Sequence, residues 1–410
     1  MMNLQNTMIH GFKIKTIDDA HIKNKQVLIR VDYNVPLDKN HHVTNDLRIT
    51  ETFKTLKHLL NNGNRIILLT HIGRPQGRDP KYSVKPVAHH FQTYFPKYKV
   101  IVIDDFEKDL ERIKKQTNEE IIFLENIRFY QREKTKNDDF AEKLAHLADI
   151  YVNDAFAASH RVQTSVVGVP RHAPSYAGLH MQREVEMISR ATSHPKEPVA
   201  SIIGGVKVST KIALIEKLLE ISNFLLIGGG LANTFMAAQG FKIGKSIYEY
   251  EEVEKARQLL YLGGSRGVTQ ILPQDAVVGH PTNDRVKPEV VDIEEVEDDM
   301  YILDIGPKTR KAFEEAISVA KTIIWNGPMG MFENPHYSKG SDHVYEAIVK
   351  NKEATSVIGG GDTLAVLNGK KNTDQITHIS TGGGAMLEFI EKGTLPGLEA
   401  LRHSQKKFKL

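Results

Sequence analysis

Two glycine clusters in the second half of the chain have the composition of a phosphate-binding site. One reads GGGDT at residues 359–363, and the other reads STGGGA at residues 380–385. Each follows a short apolar run and opens into an amphipathic stretch, which predicts a buried strand that turns through glycines into a helix. Such a turn presents backbone N–H groups and the positive end of the helix dipole to an anion. Glycine also serves tight connections, so one turn alone is weak support. Two turns, one with an acidic residue beside its glycines, indicate a phosphorylated ligand with a metal ion.

Cationic side chains follow the predicted strands of the first half. Two histidines and four arginines stand there, namely His71, His160, Arg48, Arg74, Arg128 and Arg161. Because ligands bind beyond the carboxyl ends of parallel strands, we expect these side chains to gather at one edge of a sheet. Arginine forks bind phosphate and carboxylate bidentately, so the set predicts a site for a small polyanion. The alternative is that the arginines are scattered surface residues or ion-pair partners of Asp32, Glu125 and Asp154.

The strand ends of the second half carry glycine instead. Glycines follow five predicted strands, at residues 204–205, 228–230, 327, 359–361 and 382–384. Lys207 and Lys211 come after the first of these turns and can supply point charges to phosphate oxygens. Asp362 is a candidate Mg²⁺ ligand, since hard cations take carboxylate oxygen. A single glycine turn can reflect tight packing, but five in one domain favour nucleotide binding.

Two other nucleotide motifs are not supported. The segment GFKIGKS at residues 240–246 is one residue short of a Walker A loop and follows a helical pattern, where a P-loop requires a strand. We interpret it as a helix end closed by Gly240. The dinucleotide pattern G-x-G-x-x-G does not follow the first strand of either half, which argues against an NAD enzyme.

The length and periodicity predict the architecture that must position these residues. A chain of 410 residues is too long for one ordinary core and predicts two domains. Apolar runs alternate with amphipathic segments throughout, which is typical of an α/β fold. We therefore predict two Rossmann-like, doubly wound parallel sheets. The joint is expected near residues 170–198, where prolines bracket a helical pattern that can serve as a hinge.

The composition excludes several classes of function. With 54 basic and 51 acidic residues the net charge is +3, which gives no indication of a nucleic-acid partner. No apolar run approaches the roughly 18 residues of a membrane span, and the start of the chain lacks the apolar segment of a secretory signal. We interpret that start as a short, partly disordered extension. The absence of cysteine excludes disulfides and thiolate chemistry and is compatible with the cytoplasm.

The ordered motifs resemble those of the phosphoglycerate kinase family. The resemblance runs in order from about residue 12 to about residue 400, through RVDYNVPL, THIGRP, LENIRF, VNDAFAASHR, GGVKVSTK, WNGPMGMFE, GGGDT and STGGGA. It implies two lobes joined by a hinge helix. Residues 1–180 would bind the glycerate, the tail at 390–410 would pack back onto them, and residues 181–389 would begin with the hinge helix and bind the nucleotide.

The resemblance also implies the reaction. The family transfers the acyl phosphate of 1,3-bisphosphoglycerate to MgADP, reversibly, to give 3-phosphoglycerate and MgATP. The implied partners are therefore these small molecules, with Mg²⁺ bound to the nucleotide, and neither nucleic acid nor membrane. A cytoplasmic monomer is expected.

By motif position the resemblance assigns roles to individual residues. The glycerate side comprises Asp32, Tyr33, Asn34, Arg48, His71, Ile72, Gly73, Arg74, Arg128 and Arg161. The nucleotide side comprises Lys211, Glu333, Gly360, Gly361, Asp362 and Thr363, with Asp362 toward Mg²⁺. The catalytic group comprises Arg48, Lys207, Gly361 and Gly384. Because the nucleophile in the ATP-consuming direction is an ionised carboxylate, no general base is needed, and neither His71 nor His160 is assigned that role. Direct in-line transfer requires the lobes to close and exclude water.

The chain departs from the family pattern at three places. Tyr33 stands where phenylalanine is usual, Ala157-Ala158-Ser159 replaces a common Gly-Thr-Ala, and Thr210 replaces a frequent aspartate. None of these removes a residue on which the chemistry depends.

Two other functions compete with this interpretation. Another two-lobed small-molecule kinase or acyl-phosphate enzyme would keep the glycine turns but would not need the arginine set. A nucleotide-responsive binding protein, or a homologue kept for an interaction role, would be favoured by loss of Lys207, Lys211, Arg48 or Asp362. All four are present.

Overall fold

In the computed structural model the chain forms two compact units. The structure describes residues 8–9, 12–283, 285 and 287–410. Unit 1 comprises Met1–Glu186 with Lys392–Leu410, and unit 2 comprises Met187–Glu391. The N-terminal extension interpreted from the sequence falls mostly on residues outside the described ranges. None of the helices in those ranges has both the length and the apolarity that crossing a bilayer would need.

Unit 1 is built on a six-stranded parallel sheet in the order β5-β6-β4-β3-β7-β8. A hairpin of β1 (Met8–Ile9) and β2 (Phe12–Lys13) precedes it. The sheet strands are β3 (Gln26–Arg30), β4 (Arg65–Leu69), β5 (Lys99–Ile103), β6 (Glu120–Leu124), β7 (Ile150–Asn153) and β8 (Ser175–Ala177). The helices are α1 (Leu47–Thr50), α2 (Phe53–Asn61), α3 (Lys85–Tyr94), α4 (Leu110–Lys114) and α5 (Asp138–Ala145). Helix α6 (Leu179–Thr192) contains the boundary between the units.

The register of this sheet brings the strand ends level. Arg30, the last residue of β3, pairs with Leu69 at the end of β4 and with Asn153 at the end of β7. The residues that follow these strands therefore start from one edge of the sheet, which is the placement that the sequence pattern predicts.

Unit 2 contains a second six-stranded parallel sheet, in the order β11-β10-β9-β15-β16-β17, and a three-stranded antiparallel sheet, β13-β12-β14. Its strands are β9 (Val199–Ile203), β10 (Phe224–Ile227), β11 (Thr269–Ile271), β12 (Asp275–Gly279), β13 (Glu289–Asp292), β14 (Tyr301–Ile305), β15 (Thr322–Asn326), β16 (Thr355–Gly359) and β17 (His378–Ser380). Its helices are α7 (Ile212–Leu218), α8 (Gly229–Ala238), α9 (Val253–Ser265), α10 (Pro307–Val319), α11 (Lys339–Lys350), α12 (Gly361–Leu367) and α13 (Gly384–Lys392).

The predicted fold class is confirmed, because each unit has a parallel sheet with helical connections. The prediction missed β8 and the antiparallel sheet. The helical pattern from residue 48 to 63 is divided by a turn at residues 51–52 into α1 and α2. Gly240 closes α8 with φ of 89°, as predicted, so the GFKIGKS segment is not a P-loop.

The C-terminal helix α14 (Pro396–Lys407) packs within unit 1. Gln405 is buried, and its side chain bonds both backbone groups of Lys15. The Lys15 N–H donates to Gln405 Oε1 at 3.0 Å, and Gln405 Nε2 donates to the Lys15 carbonyl oxygen at 3.0 Å. Ser404 Oγ donates to the Ala173 carbonyl oxygen at 2.9 Å. The C-terminal helix therefore contacts unit 1 both near its first strands, at Lys15, and near β8, at Ala173.

We expect Gln405→Ala to lower the free energy of unfolding of unit 1 by about 1–3 kcal/mol, because it leaves the Lys15 N–H and carbonyl without these partners. Urea titration measures the effect. Lys406→Ala, at the exposed neighbouring position, is the control and should leave the midpoint unchanged. Equal midpoints for both variants would contradict this role of Gln405.

Candidate functional site

Asp32, directly after β3, organises the polar cluster of unit 1. Its carboxylate is buried, and Arg48 Nη1 donates to its Oδ2 at 2.8 Å. The Asn34 backbone N–H donates to Oδ1 at 3.3 Å. Burial opposes ionisation, but the charges of Arg48 and Arg30 and the bond from the Asn34 N–H bring the pKa of Asp32 below its usual value. Asp32 is therefore an anion at neutral pH and holds the Arg48 guanidinium at the sheet edge.

His71 follows β4 and is held neutral by its burial and by a neighbouring buried arginine. Arg30 Nη2 lies 3.2 Å from His71 Nδ1. Arginine can only donate, so Nδ1 accepts and the imidazole proton resides on Nε2. Burial lowers the pKa of His71 well below its usual range, against the opposing Asp32 carboxylate. Asp32 Oδ1 lies 3.8 Å from the same Nδ1, and with a neutral imidazole this contact is not an ion pair.

The loop after β4 is fixed by two asparagines and one arginine. The Gly73 N–H donates to Asn34 Oδ1 at 2.8 Å, and Asn126 Nδ2 donates to the Ile72 carbonyl oxygen at 2.8 Å. Arg128 Nη1 donates to the Gly73 carbonyl oxygen. Gly73 has φ of 58°, and an added Cβ would lie 2.4 Å from the Tyr82 ring, so this turn requires glycine.

Positive charge is concentrated around this loop. Arg128 is buried, and burial together with Arg30 and Arg161 lowers its pKa to about 10, which still leaves it protonated at neutral pH. Arg161 is half-buried, and Arg74 lies exposed in the loop itself. Arginine side chains that lie close together and are partly shielded from water repel one another, and a bound anion stabilises them. The geometry therefore suits a small polyanion.

Tyr33 does not turn its side chain toward this cluster. Its ring is fully buried in the hydrophobic core, 6.1 Å from the ring of Phe91. Its hydroxyl lies 2.6 Å from Thr52 Oγ1, and burial raises its pKa. Only the backbone of Tyr33 lies along the site.

The acidic residues that follow β6 and β7 have structural partners. Glu125 Oε1 accepts the Val84 N–H at 2.8 Å, at the start of α3. Asp154 Oδ1 accepts the Met181 N–H at 3.0 Å, in the first turn of α6. Glu125 and Asp154 thus bind backbone N–H groups. The alternative interpretation, in which an arginine pairs with a carboxylate at a strand end, applies to Arg48 and Asp32.

Unit 2 contains a cleft of about 470 Å³ walled by glycine backbone and apolar side chains. Its lining includes Gly205, Gly229, Gly230, Leu303, Pro328 and Met331, with the carboxylates of Asp304, Glu333 and Asp362. Gly229, at the start of α8, has φ of 67°, and an added Cβ would lie 2.7 Å from the carbonyl oxygens of Gly205 and Pro328. A flat apolar group with a polar extension fits such a cleft.

Lys211, directly before α7, places its partly desolvated ammonium group at the end of β9. Its Nζ donates to the Gly204 carbonyl oxygen at 2.6 Å and to Asn326 Oδ1 at 2.7 Å. Burial lowers the pKa of Lys211 to about 8, although Asp362 opposes this. Asn326 Nδ2 also donates to the Gly359 carbonyl oxygen at 2.7 Å. One amide thus connects the lysine with the glycine turn after β16.

The predicted nucleotide residues 360–363 form this turn and the start of α12. Gly360 has φ of 114°, and α12 begins at Gly361 with Asp362 exposed in its first turn. Thr363 is buried, and its Oγ1 accepts the Gly327 N–H at 2.7 Å. The second turn opens α13 at Gly384. Lys207 and Glu333 are exposed.

The sequence prediction missed Arg30, Asn126 and Asn326. All three are buried and position other site residues. The sequence does contain an indication for Arg30. An arginine in an apolar strand that is predicted to be buried is rare and needs a partner. Asn126 follows β6 and Asn326 is the last residue of β15, but neither has a distinctive spacing.

The chain is similar to known proteins over almost its whole length. A family model described as phosphoglycerate kinase matches residues 17–393. A phosphoglycerate kinase of Dictyoglomus turgidum is 43% identical over 390 residues, which cover 95% of this chain and 98% of the relative. A protein of Arabidopsis thaliana described as phosphoglycerate kinase 3, cytosolic, is 41% identical over 392 residues, which cover 95% of this chain and 98% of that protein. The solved structure of phosphoglycerate kinase from Coxiella burnetii matches with a TM-score of 0.86 at 37% identity, covering 96% of this chain and 100% of that one.

Lys211 predicts a pH dependence of anion binding. Its lowered pKa, about 8, means that the ammonium form is present below pH 8 and is lost as pH rises through that value. Affinity for a nucleoside diphosphate should be flat to pH 8 and then fall by up to about tenfold per pH unit, because binding then requires proton uptake. Calorimetry between pH 7 and 9.5 measures this.

The half-buried Lys217, which pairs with Glu220, offers a matched control for this prediction. Lys217→Ala should keep the slope, whereas Lys211→Met should bind more weakly and lose it. A slope that persists in Lys211→Met would assign the titration to another group.

Proposed function

The chain belongs to the phosphoglycerate kinase family, and on that premise we propose that it transfers phosphate between 1,3-bisphosphoglycerate and MgADP. The reaction is reversible and gives 3-phosphoglycerate and MgATP. The observation that supports the proposal is that one chain has two different groups of residues suited to bind anions. Unit 1 has a cluster of arginines around a neutral histidine, and unit 2 has a glycine-walled cleft with the Lys211 ammonium group beside its Gly205.

We assign the glycerate to unit 1, including the C-terminal tail, and the nucleotide to unit 2. A phosphorylated hydroxy acid carries two anionic ends, which suits several cations distributed around one loop. A nucleotide carries a flat base and a polyphosphate, which suits an apolar cleft that leads to glycine turns. The hinge at α6 stays a prediction.

On the glycerate side, Arg48 is the candidate for contact with the carboxyl group and the migrating phosphoryl group. Its guanidinium is oriented by Asp32, so it can neutralise charge without reorganisation. His71, with Nε2–H as a donor, and Arg74, Arg128 and Arg161 are candidates for the phosphate that is not transferred. Asn34, Ile72 and Gly73 would contribute through the loop that they build.

On the nucleotide side, Lys211, Thr363 and the turn at Gly360 and Gly361 would hold the phosphates, and Glu333 would lie at the cleft wall. Lys207 and the start of α13 at Gly384 would neutralise the phosphoryl group during transfer. Among the described residues no cluster of three His, Asp or Glu side chains is arranged to hold a metal. Mg²⁺ commonly takes one or two carboxylates and completes its shell with phosphate and water, so Asp362 fits an ion that arrives with the nucleotide.

No general base is required. The acceptor carboxylate is ionised at neutral pH, and phosphoryl transfer depends on position and on charge neutralisation. His71 Nδ1 already accepts from Arg30, which supports a role as donor. We further propose a cytoplasmic location, supported by the description of the plant relative as cytosolic, and a monomeric state.

We expect Arg48→Ala to lower kcat by about 100- to 1000-fold, because it removes a preorganised cation from the transferring group. The assay is MgATP-dependent phosphorylation of 3-phosphoglycerate, with hydroxylamine trapping of the acyl phosphate. Arg112→Ala is the matched control, since Arg112 also pairs with a carboxylate, that of Glu120, at 2.7 Å. The control should keep its activity.

Three results would revise this proposal. Wild-type activity in Arg48→Ala would remove Arg48 from the mechanism. An inactive wild-type protein that still binds MgADP would favour another substrate or an interaction role. Loss of activity with loss of the folded far-ultraviolet circular dichroism spectrum would be a folding effect, and Arg48→Lys would then carry the test.

We expect Asp362→Ala to weaken MgADP binding by about tenfold while leaving metal-free ADP binding unchanged or tighter, since the lost carboxylate attracts the ion and repels bare phosphate. Calorimetry with and without Mg²⁺ measures both affinities. Asp374→Ala, at an exposed aspartate near β17, is the control. Equal weakening with and without Mg²⁺ would contradict the metal role.

A further inference from the structure

The loop between β9 and α7 places Lys207 at an exposed position with little local support. It contains Lys207, Ser209 and Thr210, all exposed. Within the loop, Thr210 Oγ1 donates to the Lys207 carbonyl oxygen at 3.1 Å, and the Lys211 N–H donates to the Val208 carbonyl oxygen at 2.7 Å. Lys211 has its own partners, so its position is determined separately. Besides the buried Val208 side chain, the position of Lys207 depends on what holds Ser209 at the centre of the loop.

Glu249 holds that centre. The Ser209 N–H donates to Glu249 Oε2 at 2.9 Å, and Ser209 Oγ donates to Glu249 Oε1 at 2.6 Å. Ser209, midway between the two lysines, thus engages both carboxylate oxygens, and the Val208 N–H is a further partner of this carboxylate. Burial opposes ionisation of Glu249, but the bonds from Ser209 and the charge of Lys207 lower its pKa, so it is an anion at neutral pH.

Glu249 is itself anchored to the wall of the nucleotide cleft. Its N–H donates to Thr234 Oγ1 at 3.1 Å, and Asn233 Nδ2 donates to the Ile247 carbonyl oxygen at 2.9 Å. Thr234 and Asn233 are buried residues of α8, the helix that begins at the cleft. The segment that leads to Glu249 is therefore rigid enough to act as a fixed support.

We propose that Glu249 is a positioning residue for Lys207, and that it acts by clamping Ser209. The inference rests on the proposed function, in which Lys207 neutralises the transferring phosphoryl group. A carboxylate beside a phosphate site is unfavourable by charge alone, because it repels the ligand and offsets the lysine. Glu249 contributes instead through its hydrogen bonds to Ser209, which hold the loop in a position from which Lys207 reaches the phosphoryl group.

Comparing Glu249→Ala with Glu249→Gln distinguishes the effect of the hydrogen bonds to Ser209 from the effect of the negative charge. Glutamine keeps both bonds, since its Oε1 accepts the Ser209 N–H and its Nε2 donates to Ser209 Oγ, but it removes the charge. We expect Glu249→Ala to lower kcat by about tenfold or more, because a displacement of about 1 Å can cost this much. The KM for 3-phosphoglycerate should stay within about twofold, since the change leaves unit 1 intact. Glu249→Gln should keep most of the activity, and Glu251→Ala, at an exposed neighbouring glutamate, is the control.

Two further measurements tie the effect to Lys207. In a Lys207→Met background, Glu249→Ala should lose most of its effect on kcat, because coupled residues are not additive. Hydrogen–deuterium exchange should be faster at residues 206–211 in Glu249→Ala and unchanged in Glu249→Gln. Unchanged kcat in Glu249→Ala, or equal losses in the alanine and glutamine variants, would overturn the inference. An inactive wild-type protein would contradict the proposed function, and the exchange measurement alone would then decide whether Glu249 fixes the loop.

Discussion

Backbone crowding at the strand ends of unit 2 is the constraint on which its cleft depends. An added Cβ at Gly204 would lie 2.0 Å from the Pro328 carbonyl oxygen, and one at Gly327 would lie 2.3 Å from the Gly204 carbonyl oxygen. Two loops can approach this closely only without side chains, and their approach places Lys211 Nζ among carbonyl oxygens. The desolvation that lowers the lysine pKa and the shape of the cleft therefore have the same cause.

Unit 1 meets a different constraint, which is the burial of several positive charges beside one another. Arg30 is fully buried, and its Nε donates at 3.0 Å to Ser165 Oγ, which in turn donates to Glu133 Oε1 at 2.6 Å. Burial raises the pKa of Glu133, and the charge of Arg30 opposes that rise. Asp32 stabilises Arg48 directly, because Arg48 Nη1 donates to its Oδ2. These carboxylates stabilise the arginines from inside the unit, and the cationic groups at its surface remain suited to an external anion.

The predicted strands and the missed strands differ in whether their own residues show the pattern of a strand. Each core strand of the two parallel sheets is a run of apolar residues buried on both faces, so the strand can be read from its own residues. The strand β13 has one buried residue, Val291, and lies at the edge of its sheet, paired with β12. Such an edge strand carries little signal of its own because its pairing depends on residues elsewhere in the chain. Tyr33 shows the same limit at the level of a side chain, because neighbours on α3 and β6 draw its ring into the core.

The sequence by itself determined the fold class, the alternation of strands and helices, and which residue types follow each strand. These properties follow from the periodicity of apolar residues and from the conformational freedom of glycine, both of which are local. Only the tertiary structure decided the tautomer of His71, the partial desolvation of Lys211 and the clamp between Glu249 and Ser209. Each of these depends on hydrogen bonds between residues far apart in the chain, as in the pairs 30 with 71, 211 with 326, and 209 with 249. Strand register and loop packing set such distances, and no spacing along the sequence encodes them.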